Sequence, residues 1–148
     1  MDEKKEINPA GIYNSRLIDA SPEKIFTAFA DPGHLKNWWG PKGFSNTFNE
    51  FNFEIDGKWD FIMHGPDGKE YKNTSIFSEI INPFKIVIEH ISPPHFILTI
   101  TLIAENYKTR IYWGQVFDSV EIKNSIEKIV DNANEENLDR LENELKKF

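Results

Sequence analysis

From about Asp118 to the C-terminus the apolar residues stop alternating and recur every third or fourth position. Ile122, Ile126, Ile129, Val130, Ala133, Leu138, Leu141 and Leu145 are read as one stripe, with Glu121, Lys123, Glu127, Lys128, Asp131, Glu135, Asp139, Arg140 and Glu142 between them. This predicts a single amphipathic helix of about seven turns, capped by Asp118 or Ser119. A helix of that length with one apolar stripe must lie against a large apolar surface.

The rest of the chain supplies such a surface. Tyr13 to Ala20 reads as a first strand. Ser21 is a good N-cap and Pro22 suits the first helical position, so a short helix follows, with Ile25, Phe26, Phe29 and Ala30 on one face. A second short helix is expected from about His34 to Trp39, ended by Gly40 and Pro41. Strands then dominate. Phe44 to Phe53 alternates loosely, and Asp56-Gly57 is a hairpin signal. Trp59, Phe61 and Met63 share one face of the next strand. Pro66-Asp67-Gly68 turns the chain into a long strand, Tyr71 to Ile81, whose inward parity the pattern leaves open and within which a bulge is allowed. Phe84, Ile86, Ile88 and His90 alternate, then Phe96, Leu98, Ile100 and Leu102, then Thr109, Ile111, Trp113, Gln115 and Phe117. Successive hairpins imply an antiparallel sheet. The expected fold is α+β: a curved antiparallel sheet of about seven strands around a long C-terminal helix, with two short helices after the first strand. Residues 1–11 are expected to be a flexible arm and 12–148 one domain.

Composition narrows the function. The chain has no cysteine, which excludes disulfides, thiolate metal sites and a cysteine nucleophile. A net charge of −7 argues against nucleic acid and anionic lipid surfaces as partners. No apolar run is long enough for membrane insertion, and the polar N-terminus has no secretory leader, so a cytoplasmic location is expected. The Lys, Asn and Ile content points to an AT-rich bacterial genome. No metal is expected, because His34, His64, His90 and His95 lack ligand spacing. No nucleophile elbow or phosphate loop occurs, so no catalytic residue and no cofactor are assigned. The aromatic content, 12 Phe, 4 Trp and 4 Tyr, exceeds what a core this size usually needs.

Several stretches together resemble the START-like superfamily, also called Bet v 1-like or SRPBCC. They are Arg16-Leu17-Ile18-Asp19-Ala20-Ser21-Pro22-Glu23-Lys24-Ile25-Phe26, Trp38-Trp39-Gly40-Pro41-Lys42-Gly43-Phe44, the hairpin from Gly57 to Tyr71, and Asn137-Leu138-Asp139-Arg140-Leu141. The branch most similar is named for the C-terminal domain of the Aha-type activator of the heat-shock-protein-90 ATPase. The chain departs from that pattern at Asp56-Gly57, where the branch often has two glycines. It departs again at Ser75, often a glycine, and at Asn134-Glu135, often Gly-Trp. The resemblance implies a helix-grip fold with a ligand cavity between sheet and helix, on the order of several hundred Å³. It also implies two alternatives to ligand binding. One is a co-chaperone-like role, against which the absence of the activator's N-terminal domain counts. The other is polyketide cyclase-like or hydrolase-like chemistry.

The expected cavity lining is Phe26, Trp38, Trp59, Phe61, Met63, Tyr71, His90, Trp113, Gln115 and Ile126, and the expected ligand is a small hydrophobic or aromatic molecule. Trp38 and Trp39 point about 100° apart on a helix, so one can line the mouth while the other packs. Gln115 sits on an apolar strand face and needs a partner, either backbone near the start of the last helix or a ligand. His90 reads as a satisfied core residue rather than a catalyst. Glu79 turns inward only if the bulge places it there, where burial would raise its pKa.

Overall fold

In the computed structural model, which describes residues 7–148, the chain runs β1 (Gly11–Ile18), α1 (Pro22–Ala30), α2 (Pro32–Trp38), β2 (Ser45–Phe51), β3 (Lys58–His64), β4 (Glu70–Ile81), β5 (Lys85–His90), β6 (Phe96–Glu105), β7 (Lys108–Phe117) and α3 (Val120–Leu145). The strands form one curved antiparallel sheet in the order β1-β7-β6-β5-β4-β3-β2. The pair α1 and α2 bridges the two edge strands, and α3 lies on the concave side against β1, α1, α2 and β7. Of the expected arm, residues 1–6 lie outside the described residues. The chain turns at Pro9 and Ala10, and β1 begins at Gly11, before the expected Tyr13.

Local chemistry accounts for the helix starts. Ser21 accepts from the Lys24 N–H and Pro22 occupies the first turn of α1. Asp31 accepts from the Gly33 N–H and starts α2 directly afterwards. Ser119, not Asp118, caps α3 by accepting from the Ile122 N–H. The Asn106 backbone is left-handed at the tip of the β6–β7 hairpin (φ 59°), as a tight turn requires.

The parity of β4 is set by a bulge at Ser78. Pairing passes from Phe77 opposite Ile88 to Glu79 opposite Val87. Ser75 and Phe77 therefore face the core before the bulge, and Ile80 packs on it afterwards. Glu79 is turned outward, 3.2 Å from Lys85, and not into the core. Phe84 also differs from expectation: it lies in the turn before β5 and is exposed, while Ile86, Ile88 and His90 face inward.

The stripe on α3 is only half right. Leu138, Leu141 and Leu145 are buried, but Ile129 is 75% exposed and Ile122 is 39% exposed. The reason is angular. Ile129 precedes Leu138 by about two and a half turns at ~100° per residue, which puts it on the opposite side. The face that docks carries Asn134, Asn137 and Glu144 among its leucines, all buried. Hydrogen bonds therefore hold α3 as much as apolar packing does. Arg16 on β1 reaches Glu135 (2.7 Å), Asp139 (2.7 Å) and Glu142 (2.8 Å) on successive turns of α3. Beside it, the Asn14 amide donates to Asp131 (2.9 Å) and Glu135 (2.8 Å). At the far end, the buried Glu144 carboxylate meets His34 (2.9 Å), Asn37 (3.1 Å) and Lys147 (2.9 Å). Burial opposes its charge, but those contacts outweigh it and hold its pKa below the ordinary value.

The Asn14 hydrogen bond, with Arg16, lowers the pKa of Glu135 in the fold. A depressed carboxylate pKa contributes stability above its unfolded value of about 4.3, and that contribution is lost as pH falls through the folded value. Arg16→Met is expected to cost about 1–2 kcal/mol, a figure kept low because the acidic partners are partly solvated. The melting temperature should fall by roughly 3–7 °C near neutral pH. The variant's loss of stability with acid should also be shallower than the parent's, which thermal melts between pH 3 and pH 7 would show.

Candidate functional site

Between the concave sheet and α3 lies a cavity of about 460 Å³. It exists because α3 presents small or polar side chains where a plug would be needed: Ala133, Asn134 and Asn137 form its helix wall. Trp59, Phe61 and Met63 of β3 line the opposite side, Ser75 of β4 and His90 of β5 adjoin them, and Trp113 and Gln115 of β7 complete the floor. The rim is the segment after α2, with Trp39, Gly40, Pro41 and Phe44, together with Tyr71 and the Pro93-Pro94 turn.

Trp59, Phe61, Met63, Tyr71, His90, Trp113 and Gln115 of the expected lining are thus brought together, and three residues are not. Phe26 is buried against Phe53, with ring centroids 5.6 Å apart, in the core below. Trp38 donates its indole N–H to the Ala28 carbonyl (2.9 Å) and packs on Phe29. Its neighbour Trp39 takes the place at the cavity, because it caps α2 in an extended conformation and leaves the helical course. Ile126 lies on the half-exposed stretch of α3, about two turns from Asn134 and three from Asn137, the polar residues that reach the cavity. Ser75, Asn134 and Asn137 escaped the sequence reading. Register would have found Ser75, since it pairs with both Trp59 and His90. Helical spacing from Leu138 and Leu141 would have found the two asparagines.

The aromatic walls are continuous. Trp39 stacks on Trp113 (5.5 Å) and meets Trp59 edge-on (5.1 Å), and Trp59 stacks on Phe61 (4.3 Å). Gln115 is not bonded to backbone at the start of α3, as one of its two expected partners would have it. Its side-chain oxygen accepts from Asn134 (3.1 Å), which also donates to Asn14 (3.0 Å). A polar chain therefore runs from the cavity floor through Asn134 and Asn14 to the Arg16 cluster.

The rim is fastened by α3. Asn137 donates to the Trp38 carbonyl (2.8 Å) and accepts from the Gly40 N–H (3.2 Å). The Arg140 guanidinium donates to the carbonyls of Asn37, Trp39, Gly40, Pro41 and Phe44 at 2.9–3.2 Å. Burial lowers the Arg140 pKa, and carbonyl dipoles, including those at the end of α2, take the place of a carboxylate. Gly40 and Gly43 have left-handed backbones (φ 98° and 87°), and a Cβ on Gly40 would come within 2.7 Å of Met63.

The titratable lining residues are Tyr71, Lys72 and His90, and no carboxylate is among them. His90 stacks on Phe96 (4.4 Å), with Nδ1 2.9 Å from the Pro94 carbonyl and Nε2 2.6 Å from Asn73 Oδ1. The Asn73 amide donates to the Tyr71 carbonyl (2.9 Å), which fixes its orientation. A neutral imidazole has one N–H for two acceptors. Burial nevertheless pushes the His90 pKa down, against the pull of the Pro94 and Ser92 backbone. On the outer side of the same turn, His95 lies between Glu89 (2.8 Å) and Asp118 (2.7 Å), which raise its pKa. Among the described residues no three His, Cys, Asp or Glu side chains converge as a metal centre would need. No helix there is long and apolar enough to cross a membrane.

Residues 19–146 match the family model described as Activator of Hsp90 ATPase homolog 1-like protein. The fold is shared with solved structures of low identity. A protein from Arthrobacter aurescens aligns with TM-score 0.86 at 20% identity, over 95% of this chain and 88% of that one. A protein from Nitrosomonas europaea aligns with TM-score 0.87 at 17% identity, over 95% and 97%. The AHSA1 protein of Silicibacter pomeroyi aligns with TM-score 0.73 at 18% identity, over 93% and 98%. No curated protein matches the chain.

The two histidines flanking the Pro93-Pro94 turn should titrate in opposite directions. NMR titration is expected to place His95 above the ordinary value of about 6.5 and His90 below it. Stability contributed by His95 is whole below about pH 6.5 and lost as pH rises through its folded value; the buried neutral His90 instead costs stability once pH falls below about 6.5. His95→Gln should abolish the alkaline loss while leaving the His90 titration in place.

Proposed function

The chain belongs to the Activator of Hsp90 ATPase homolog 1-like protein family, and from that premise we propose that it binds or sequesters a small hydrophobic or aromatic molecule in the cytoplasm without transforming it. The observation that carries this reading is the cavity of about 460 Å³ walled by Trp39, Trp59, Phe61 and Trp113. Its volume falls in the range of small-ligand sites. Burying about 200 Å² of apolar ligand surface there would contribute roughly 5 kcal/mol before the costs of association. Polar groups are few among the aromatic walls, as in a site that orients an apolar ligand. The cyclase-like or hydrolase-like alternative has less support: His90 alone of its two candidate groups adjoins the cavity, and Glu79 faces solvent beside Lys85.

A co-chaperone-like role is the second reading. It rests on the family description and on the exposed Ile122 and Ile129, two turns apart on one face of α3. Stimulation of a chaperone ATPase that is lost in Ile129→Glu would favour it, and no stimulation at high protein excess would remove it.

The binding reading is tested with N-phenylnaphthylamine, an uncharged probe that fluoresces in apolar sites. Saturation at about 100 times its Kd should raise stability by roughly 2.7 kcal/mol. Ala133→Phe, which places a ring at the cavity's helix wall, should weaken the probe at least tenfold while changing the melting temperature of the free protein little. Absence of probe binding, or equal binding by Ala133→Phe, would overturn the reading.

A further inference from the structure

We propose that the cavity selects flat, uncharged molecules that carry a hydrogen-bond-accepting oxygen, and that it discriminates against cations of the same shape. This rests on the binding reading above and names the class of ligand. The observation behind it is an imbalance between donors and acceptors in the wall.

Donors are in surplus. The indole N–H groups of Trp59 and Trp113 are buried with no acceptor among the described residues. These side chains are 1% and 3% exposed, so bulk water does not serve them. Gln115 has its oxygen engaged by Asn134, which leaves its NH₂ end without a described partner in the floor of the cavity. Acceptors are fewer: Asn137 Oδ1 accepts from Gly40, and Asn73 Oδ1 competes with the Pro94 carbonyl for the single N–H of a neutral His90. A buried donor left unmade is costly, whereas a ligand oxygen that reaches it recovers that cost. Trp59, Trp113 and Gln115 line the same cavity, so one ligand oxygen is offered several donors.

Charge points the same way. The chain carries 24 acidic residues, yet none among the described residues lines the cavity. The charged lining residue among the described ones is Lys72, which is exposed and so offers no buried counter-charge to a ligand of either sign. The aromatic faces attract a cation, but without a carboxylate they offset only part of its desolvation. A full anion is also disfavoured, because burial lowers the His90 pKa and the charge of the exposed Lys72 is screened by water.

The test compares three probes of one shape: methylnaphthalene, methyl naphthyl ketone and naphthylmethylammonium. The ketone is expected to bind at least tenfold more tightly than the hydrocarbon, and the ammonium more weakly than either. In nitrogen-edited NMR the ketone, and not the hydrocarbon, should move the indole N–H resonance of Trp59 or Trp113, or the Gln115 side-chain amide. The Trp38 indole, bonded to the Ala28 carbonyl, should stay in place as an internal reference. Gln115→Met and Trp113→Phe, read together, should cut the ketone's advantage to about threefold or less with hydrocarbon binding retained. Equal binding of ketone and hydrocarbon, or tightest binding of the ammonium, would overturn the ligand class and leave the binding reading standing. Failure of all three probes would bring down the binding reading and the class with it.

Discussion

The standoff between α3 and the sheet is set by polar contacts, and the cavity depends on it. A helix laid on a concave sheet by apolar packing alone would sink until its side chains filled the space. Here Leu138, Leu141 and Leu145 close the lower end, while Asn134 and Asn137 hold the next turns by hydrogen bonds of fixed length. Hydrogen bonds are directional and short, so they fix a distance where dispersion would only favour closeness. Arg16 and Asn14 extend the same principle along the outer flank of the helix by engaging four of its carboxylates. The interior is left open because the docking face is partly amide rather than aliphatic.

The same helix shapes the entrance. Arg140 contributes a guanidinium whose planar fork suits several carbonyls at once, which a lysine head group would not. It converts the irregular segment from Asn37 to Phe44 into a defined rim, with two left-handed glycines allowing the tight path. A buried cation without a carboxylate is an unusual arrangement. It is tolerable because five carbonyls converge on it, those of Asn37 and Trp39 at the end of α2 and those of Gly40, Pro41 and Phe44 in the segment after it. Rim, helix and floor therefore form one connected polar framework around an aromatic lining.

Much of this architecture is legible from the sequence because it rests on period. Alternation in Trp59-Phe61-Met63 and in Ile111-Trp113-Gln115 places those residues on the concave face, where they are found. The Ser21-Pro22 start and the Asn106 hairpin are local chemistry and equally readable. The errors arise where period fails or is misapplied. The bulge at Ser78 conceals the parity of β4, and with it the inward place of Ser75. Trp38 and Trp39 cannot be told apart by helical geometry, because Trp39 is no longer helical. The run of isoleucines in α3 looks continuous with its leucines only until the angle between Ile129 and Leu138 is followed. Asn134 and Asn137 are hardest of all, because a polar residue on a docking face reads as surface until its partners are known.

The hydrogen bonds that close the rim join residues far apart along the chain: Arg140 and Asn37 are separated by 103 positions, Asn137 and Trp38 by 99. Contacts of such long range form late, because nearly the whole intervening chain must be ordered before they can be made. Any excursion that lifts the end of α3 releases the rim and unseals the aromatic chamber while the strands remain paired. Occupancy of the chamber is therefore tied thermodynamically to the integrity of a single helix terminus, and a bound molecule acts as a brace on it.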